Sequence, residues 1–222
     1  MDINDNKDSL EDYSLDRSSE EMNDLISNNG EWEYAMRREM QEIIPGLFLG
    51  PYASAMKSKL DTLLNTGITH IVCIRQSIEA NFVRPNFPHQ FRYLVLDMAD
   101  CPTENIIKYF RQTKEFIDEC LDNGGKVLVH GNGGISRSAA VVIAYVMEKC
   151  SLTSREAISC VRNRRFCISL NEGFLHQLTE YEHIYKAQSL TYISDAAAQN
   201  LSAKRKRVEM DMENSHSSQT FS

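Results

Sequence analysis

The sequence predicts an α/β domain with a mainly parallel sheet. Two observations predict it. Short apolar or β-branched runs alternate with helical stretches through the middle of the chain. One of those runs also leads into a glycine-rich loop and then into an apolar helix. Ile43-Ile44 and Leu47-Phe48-Leu49 flank Pro45-Gly46 and read as two short strands around a tight turn. A helical stretch over 54–65 stops at Gly67. Ile68–Ile74 and Tyr93–Met98 are strands. Thr103–Leu121 is a long amphipathic helix, because Ile106, Ile107, Phe110, Phe116, Ile117 and Leu121 recur near helical spacing. Asn123-Gly124-Gly125 stops it, and Lys126–His130 is a short buried strand. Ser138–Lys149, Thr153–Arg164 and Asn171–Lys186 are three further helices.

Charge divides the 222 residues into three parts. The whole chain carries −7, which disfavours general binding to nucleic acid or anionic membrane. Residues 1–33 hold eleven acids against two bases, a net of −9, with few large apolar residues. Segments of that composition do not bury enough surface to offset backbone ordering. Residues 194–222 are similar, with a basic run Lys204-Arg205-Lys206-Arg207 that reads either as a nuclear import signal or as an ordinary basic tail. Residues 34–193 carry 18 bases and 16 acids, a net of +2. The expected organisation is an acidic disordered tail over 1–31, one domain over 32–190, and a second disordered tail over 191–222. Trp32 and Tyr34 read as packing the tail's end onto the domain.

The six cysteines (73, 101, 120, 150, 160 and 167) form no C-x-x-C pair, so a zinc module is not expected. The acidic N-terminus lacks a secretory pattern, and no apolar run approaches the roughly 18 residues of a membrane span. A reducing compartment, no cofactor and a monomer are the expectations.

The loop after Lys126–His130 carries the chemistry. It reads His130-Gly131-Asn132-Gly133-Gly134-Ile135-Ser136-Arg137-Ser138. In parallel sheets ligands bind beyond the carboxyl ends of strands. Glycines let successive N–H groups turn inward as an anion nest, and the following helix N-terminus adds partial positive charge. Arg137 is able to fork onto two phosphate oxygens. The bland alternative is a glycine-rich turn whose Arg pairs with a nearby carboxylate. A nucleotide P-loop is excluded by the lack of Gly-Lys-Ser/Thr, and a dinucleotide site by the glycine spacing.

With Gly134 and Ser136 between His130 and Arg137-Ser138, this loop resembles the His-Cys-x-x-Gly-x-Ser-Arg-Ser signature of the cysteine-dependent dual-specificity phosphatases. Ile44-Pro45-Gly46-Leu47-Phe48-Leu49-Gly50 is similar to the family's opening hairpin. Asp100 falls where the family places its general acid, and Asn171-x-Gly173-Phe174-x-x-Gln177-Leu178 resembles its closing helix. The resemblance covers about residues 32–188. It implies a twisted sheet of about five strands with helices on both faces, and a phosphate held by Gly131 through Arg137. It also implies that His130 and Ser138 support the loop.

One departure changes the expected function. Gly131 stands where the family carries its nucleophilic cysteine. Without a side chain it forms no covalent phospho-enzyme. Ser136, Ser138 and Cys101 are poorly placed to replace it, because a nucleophile misplaced by an ångström loses most of its advantage. Loss of a thiolate leaves phosphate binding possible, since that thiolate would repel the dianion. The expectation is a catalytically inactive module that binds phosphorylated Ser, Thr or Tyr proteins, in the nucleus and cytoplasm. The resemblance suggests phosphorylated mitogen-activated protein kinases as candidates. A weak phosphatase with a displaced nucleophile, or a scaffold that leaves the loop unused, are the alternatives. Asp100 is then a vestigial acid, or serves only as a cap for the helix near Thr103 or in the structure of its loop. Arg162-x-Arg164-Arg165 reads as a partner-facing cluster or a solvated helix end.

Overall fold

In the computed structural model, residues 32–189 are described. The segment 1–31, the segment from 191 onward and the Lys204–Arg207 run lie outside them. Five strands form one mixed sheet: β1 (Gln41–Ile44), β2 (Leu47–Pro51), β3 (Ile68–Arg75), β4 (Arg92–Asp97) and β5 (Lys126–Gly131). Their order is β1-β2-β5-β3-β4. Only β1–β2 is antiparallel; the other three pairings are parallel.

Side chains alternate across a strand, and here the alternation feeds two cores. Leu47, Leu49, Val72, Ile74, Val127 and Val129 face the larger one. Phe48, Ile71 and Leu128 face the smaller one, where α1 (Leu60–Thr66) contributes Leu63 against Phe87 and Phe91. The larger core is closed by α2 (Ile107–Asp122), α3 (Arg137–Cys150), α4 (Ser154–Arg164) and α5 (172–189). Helices therefore cover both faces, as the resemblance implied. Every α3 residue from Arg137 through Met147 is buried, which explains why its sequence is apolar all round. A Thr153–Glu156 capping box opens α4.

Three local expectations change. The stretch 54–65 is not one helix: two 3-10 turns, Tyr52–Ala55 and Lys57–Lys59, precede α1, because Met56 between them is extended. Gly67 does end α1. The helix expected from Thr103 starts at Ile107, because Gln177 on α5 binds the backbone ahead of it. Its Oε1 accepts from Ile106 N–H (2.8 Å) and its Nε2 donates to Glu104 O (2.7 Å). Near the first described residues Trp32 is half-buried, but Tyr34 is 77 % exposed and packs nothing down.

Candidate functional site

β5 is the central strand, and its last residues are fixed by neighbours on both sides: Gly131 pairs with Pro51 and His130 with Cys73. From this edge the chain turns through residues 132–136 into α3. Gly131 through Ser138 line one pocket of about 520 Å³, together with Asp100, Ser169, Leu170 and Asn171. The structure thus brings together all the predicted loop residues except His130, which is fully buried behind them.

The loop's shape follows from where its carbonyls go. Asn132 O accepts from Tyr52 N–H (3.1 Å), Ile135 O from Ser169 N–H (3.0 Å) and Ser136 O from Ala140 N–H (2.8 Å). Gly133 O and Gly134 O accept from Arg165 Nη2 (3.2 Å) and Nε (2.8 Å). In a trans peptide the following N–H lies in the same plane as the C=O and points in the opposite direction. Five carbonyls engaged with protein partners thus turn the N–H groups of Gly133 through Arg137 the other way, as an anion nest requires. Gly134 has to be glycine: its φ is +65°, and a Cβ there would lie 2.4 Å from the Gly50 carbonyl.

Arg165 overturns its sequence reading. It is 0 % exposed, so it is neither a solvated helix end nor a partner-facing cation. Besides the two loop carbonyls it donates to Glu39 O (2.9 Å), Arg37 O (3.1 Å) and Gln41 Oε1. All five acceptors are neutral. Burial pulls its pKa down, but a guanidinium stays charged in proteins. A buried positive charge with no carboxylate among its hydrogen-bond partners therefore stands behind the nest.

Arg137 is held by Glu79, a residue with no signal in the sequence. Nη2 donates to Glu79 Oε1 at 2.9 Å, Nη1 donates to Oε2, and Nη1 also donates to Met98 O at 3.1 Å. The bland alternative of an Arg paired with a carboxylate is thus true of one edge. Five donors are available, and Glu79 takes only the terminal Nη1/Nη2 edge. The Nε–H and the second Nη2–H form the other edge, with Asp100 Oδ2 at 3.8 Å from Nε. The Arg137 hydrogen bond keeps the Glu79 carboxyl below its usual range. Burial opposes the charge of Arg137, but Glu79 outweighs it and raises its pKa.

Asp100 does not cap a helix. Its Oδ1 accepts from Ser136 Oγ (2.7 Å) and Asn171 Nδ2 (3.2 Å), which ties it to the loop rim. The closing-helix motif explains this placement. Asn171 also caps α5 through Phe174 N–H (2.9 Å). Gly173 is needed because a Cβ there would lie 1.9 Å from Pro102 O. Gln177 clamps the backbone at residues 104 and 106. Asn171, Gly173 and Gln177 together hold the Asp100 loop over the pocket. The motif was visible in the sequence, but this job was not.

His130 is a neutral imidazole, since complete burial lowers its pKa to about 4. Its Nδ1 lies 3.3 Å from Gly131 O. Ser138 is 1 % exposed, and its Oγ has no hydrogen-bond partner among the described residues. A Cβ on residue 131 would stand 3.4 Å from that oxygen and 3.5 Å from Ile74 O, both ordinary contacts. The backbone at 131 is thus shaped for a side chain the sequence lacks. The six cysteines are all unbridged, and Cys101 interacts with Thr103 Oγ1 (3.5 Å).

Comparisons with known proteins agree with this geometry. Residues 47–184 match the family model described as dual specificity phosphatase, catalytic domain. The chain is 68 % identical over 158 residues to a mouse serine/threonine/tyrosine-interacting protein, covering 71 % of each chain. It is 34 % identical over 145 residues to the Arabidopsis thaliana dual specificity protein phosphatase 1B, covering 65 % of this chain and 83 % of that one. A crystal structure of the human tyrosine phosphatase-like serine/threonine/tyrosine-interacting protein superposes with a TM-score of 0.66 at 69 % identity, covering 67 % of this chain and 98 % of that one. With residues 47–184 matched by that family model and these identities to its members, the chain belongs to the dual-specificity phosphatase family.

Proposed function

We propose that this chain is a catalytically inactive phosphatase-like module that binds phosphorylated Ser, Thr or Tyr segments and shields or anchors their proteins. One observation carries the reading. Gly131 stands in a loop that keeps the parts an anion site needs: N–H groups turned away from the engaged carbonyls, the start of α3, and an Arg137 Nε/Nη2 edge that faces Asp100 at 3.8 Å without a hydrogen bond. Phosphoryl transfer to the protein needs a nucleophile in line below phosphorus, and glycine offers none. Binding needs only preorganised donors, and a phosphate dianion at a helix N-terminus beside a guanidinium has them. The names of the serine/threonine/tyrosine-interacting relatives fit a binding role. Phosphorylated mitogen-activated protein kinases, in nucleus and cytoplasm, are the partners to try first.

The test is a titration of labelled phosphopeptides and their unphosphorylated counterparts against wild type and Arg137→Ala. Selective binding of the phosphorylated forms, lost in the variant, supports the reading. Hydrolysis of an aryl phosphate above background that disappears in Asp100→Ala would favour a weak phosphatase. Binding that survives Arg137→Ala would favour a scaffold with its surface elsewhere.

A further inference from the structure

Gly131 leaves a buried hydroxyl at the base of the pocket without the side chain that would contact it. Ser138 Oγ is buried, unpartnered, and closer to the position of a residue-131 Cβ (3.4 Å) than its own Cβ is (3.8 Å). Buried hydroxyls without a partner are uncommon and call for an explanation. The same space is bordered by Ile74 O, and both Gly131 and Ser138 line the pocket. A donor and an acceptor therefore border the position from which a CH2–SH group would extend, between residues that line the pocket. That group is larger than a water molecule, whose share of liquid volume is about 30 Å³.

We propose that Ser138 is a ligand-positioning residue in this protein: it holds one ordered water in the place of the missing thiol, directly beneath the bound phosphoryl group. The water accepts from Ser138 O–H, donates one proton to Ile74 O, and donates the other to a phosphoryl oxygen. A neutral hydrogen-bond donor thus replaces what would otherwise be an anion facing an anion. This makes the pocket a better phosphate site than one with a thiolate at its base. The water makes three hydrogen bonds, the usual number for a buried one. No bond is made or broken. The inference rests on phosphate binding at this loop, and it adds Ser138 and the Gly131 space to the recognition machinery.

A double-mutant cycle tests it with phenyl phosphate as the probe, titrated calorimetrically against the full chain. Ser138→Ala is expected to weaken binding by about three- to tenfold, the range of one net hydrogen bond. Gly131→Ala puts a methyl between the backbone and the water's place, at contact distances that cost no rearrangement; it crowds the water out and is expected to weaken binding similarly. In the Gly131→Ala background, Ser138→Ala then changes Kd by less than about twofold, because the bridge is already gone. Full additivity would mean that Ser138 acts by packing the loop and would overturn the inference. So would an unchanged Kd in the Ser138→Ala single variant while Arg137→Ala abolishes binding; that outcome leaves the phosphate-site reading intact. No binding of phenyl phosphate by wild type sinks both. Equal melting temperatures across the four proteins keep the comparison one of binding rather than of folding.

Discussion

Gly131→Cys is expected to convert the protein into a phosphatase. The new Cβ meets no steric obstacle: the nearest atoms to it lie at 3.4, 3.5 and 3.8 Å, all in ordinary van der Waals range. The Gly131 backbone does not have positive φ, so no strain is added. Stability should change by less than about 1 kcal/mol, because volume is added where space exists rather than in a packed core. The new thiol sits at the end of β5, beside the inward N–H groups, the first turn of α3 and the unpartnered Ser138 hydroxyl. Each of these favours the thiolate, and such surroundings bring cysteine pKa values to about 3.5–7.5. The leaving-group proton must come from Asp100, which has to release Ser136 and Asn171 to reach it. Removing that general acid should cost about 10²–10⁴ in rate. The assay is aryl phosphate turnover by wild type, Gly131→Cys and Gly131→Cys/Asp100→Ala, with trapping of a cysteinyl phosphate. Turnover in the single variant, a drop of at least about a hundredfold in the double variant, and a trapped intermediate are expected. A correctly folded Gly131→Cys protein that binds phosphate but neither turns over nor traps would refute the claim that only the nucleophile is missing.

Other consequences concern the elements that hold the site. The neutral His130 makes stability depend on pH: its folded-state pKa of about 4 lies below the ordinary 6.5, so the unfolded chain binds a proton that the native chain does not. Its contribution is complete above pH 6.5, is lost as pH falls toward 4, and amounts to roughly 3 kcal/mol; urea unfolding of His130→Asn should show a shallower pH slope, and parallel slopes would contradict the assignment. Arg165→Met leaves the carbonyls of Gly133 and Gly134 without their donor. Stability should fall by about 1–3 kcal/mol for each buried acceptor left without a donor, and phosphate binding should be lost with it; a variant that binds normally would show that the loop holds its shape without Arg165. Gly173→Ala forces a methyl against Pro102 O. It should cost about 1–3 kcal/mol and, combined with Gly131→Cys, reduce turnover while leaving phosphate affinity within about twofold, since it moves Asp100 and not the nest.

What the sequence disclosed depended on whether the signal was local. Strands β2, β3 and β5 were legible because residues on both of their faces are buried, which gives the apolar runs Leu47–Leu49, Ile71–Ile74 and Val127–Val129. The loop was legible because glycines, an Arg and a helix start are contiguous. Glu79 was not legible, since nothing in its own segment marks an acid that meets Arg137 from 58 residues away. Arg165 was misread because charge in a sequence usually marks surface; only the folded loop shows that its carbonyls need a buried donor. The start of α2 was misplaced because the donors and acceptors of residues 104–106 are taken by Gln177, which lies over 70 residues on. Tertiary hydrogen bonds, invisible to periodicity, decided each case.

The central claim is that the loop built by β5, Arg165 and α3 still binds a phosphoryl group through the Nε/Nη2 edge of Arg137. Phosphopeptide affinity measured side by side on wild type and Arg137→Ala tests it most directly. Loss of two charge-assisted hydrogen bonds predicts a weakening of at least about a hundredfold, with unphosphorylated peptide bound by neither protein. Equal affinity of the two proteins for the phosphopeptide would contradict the account.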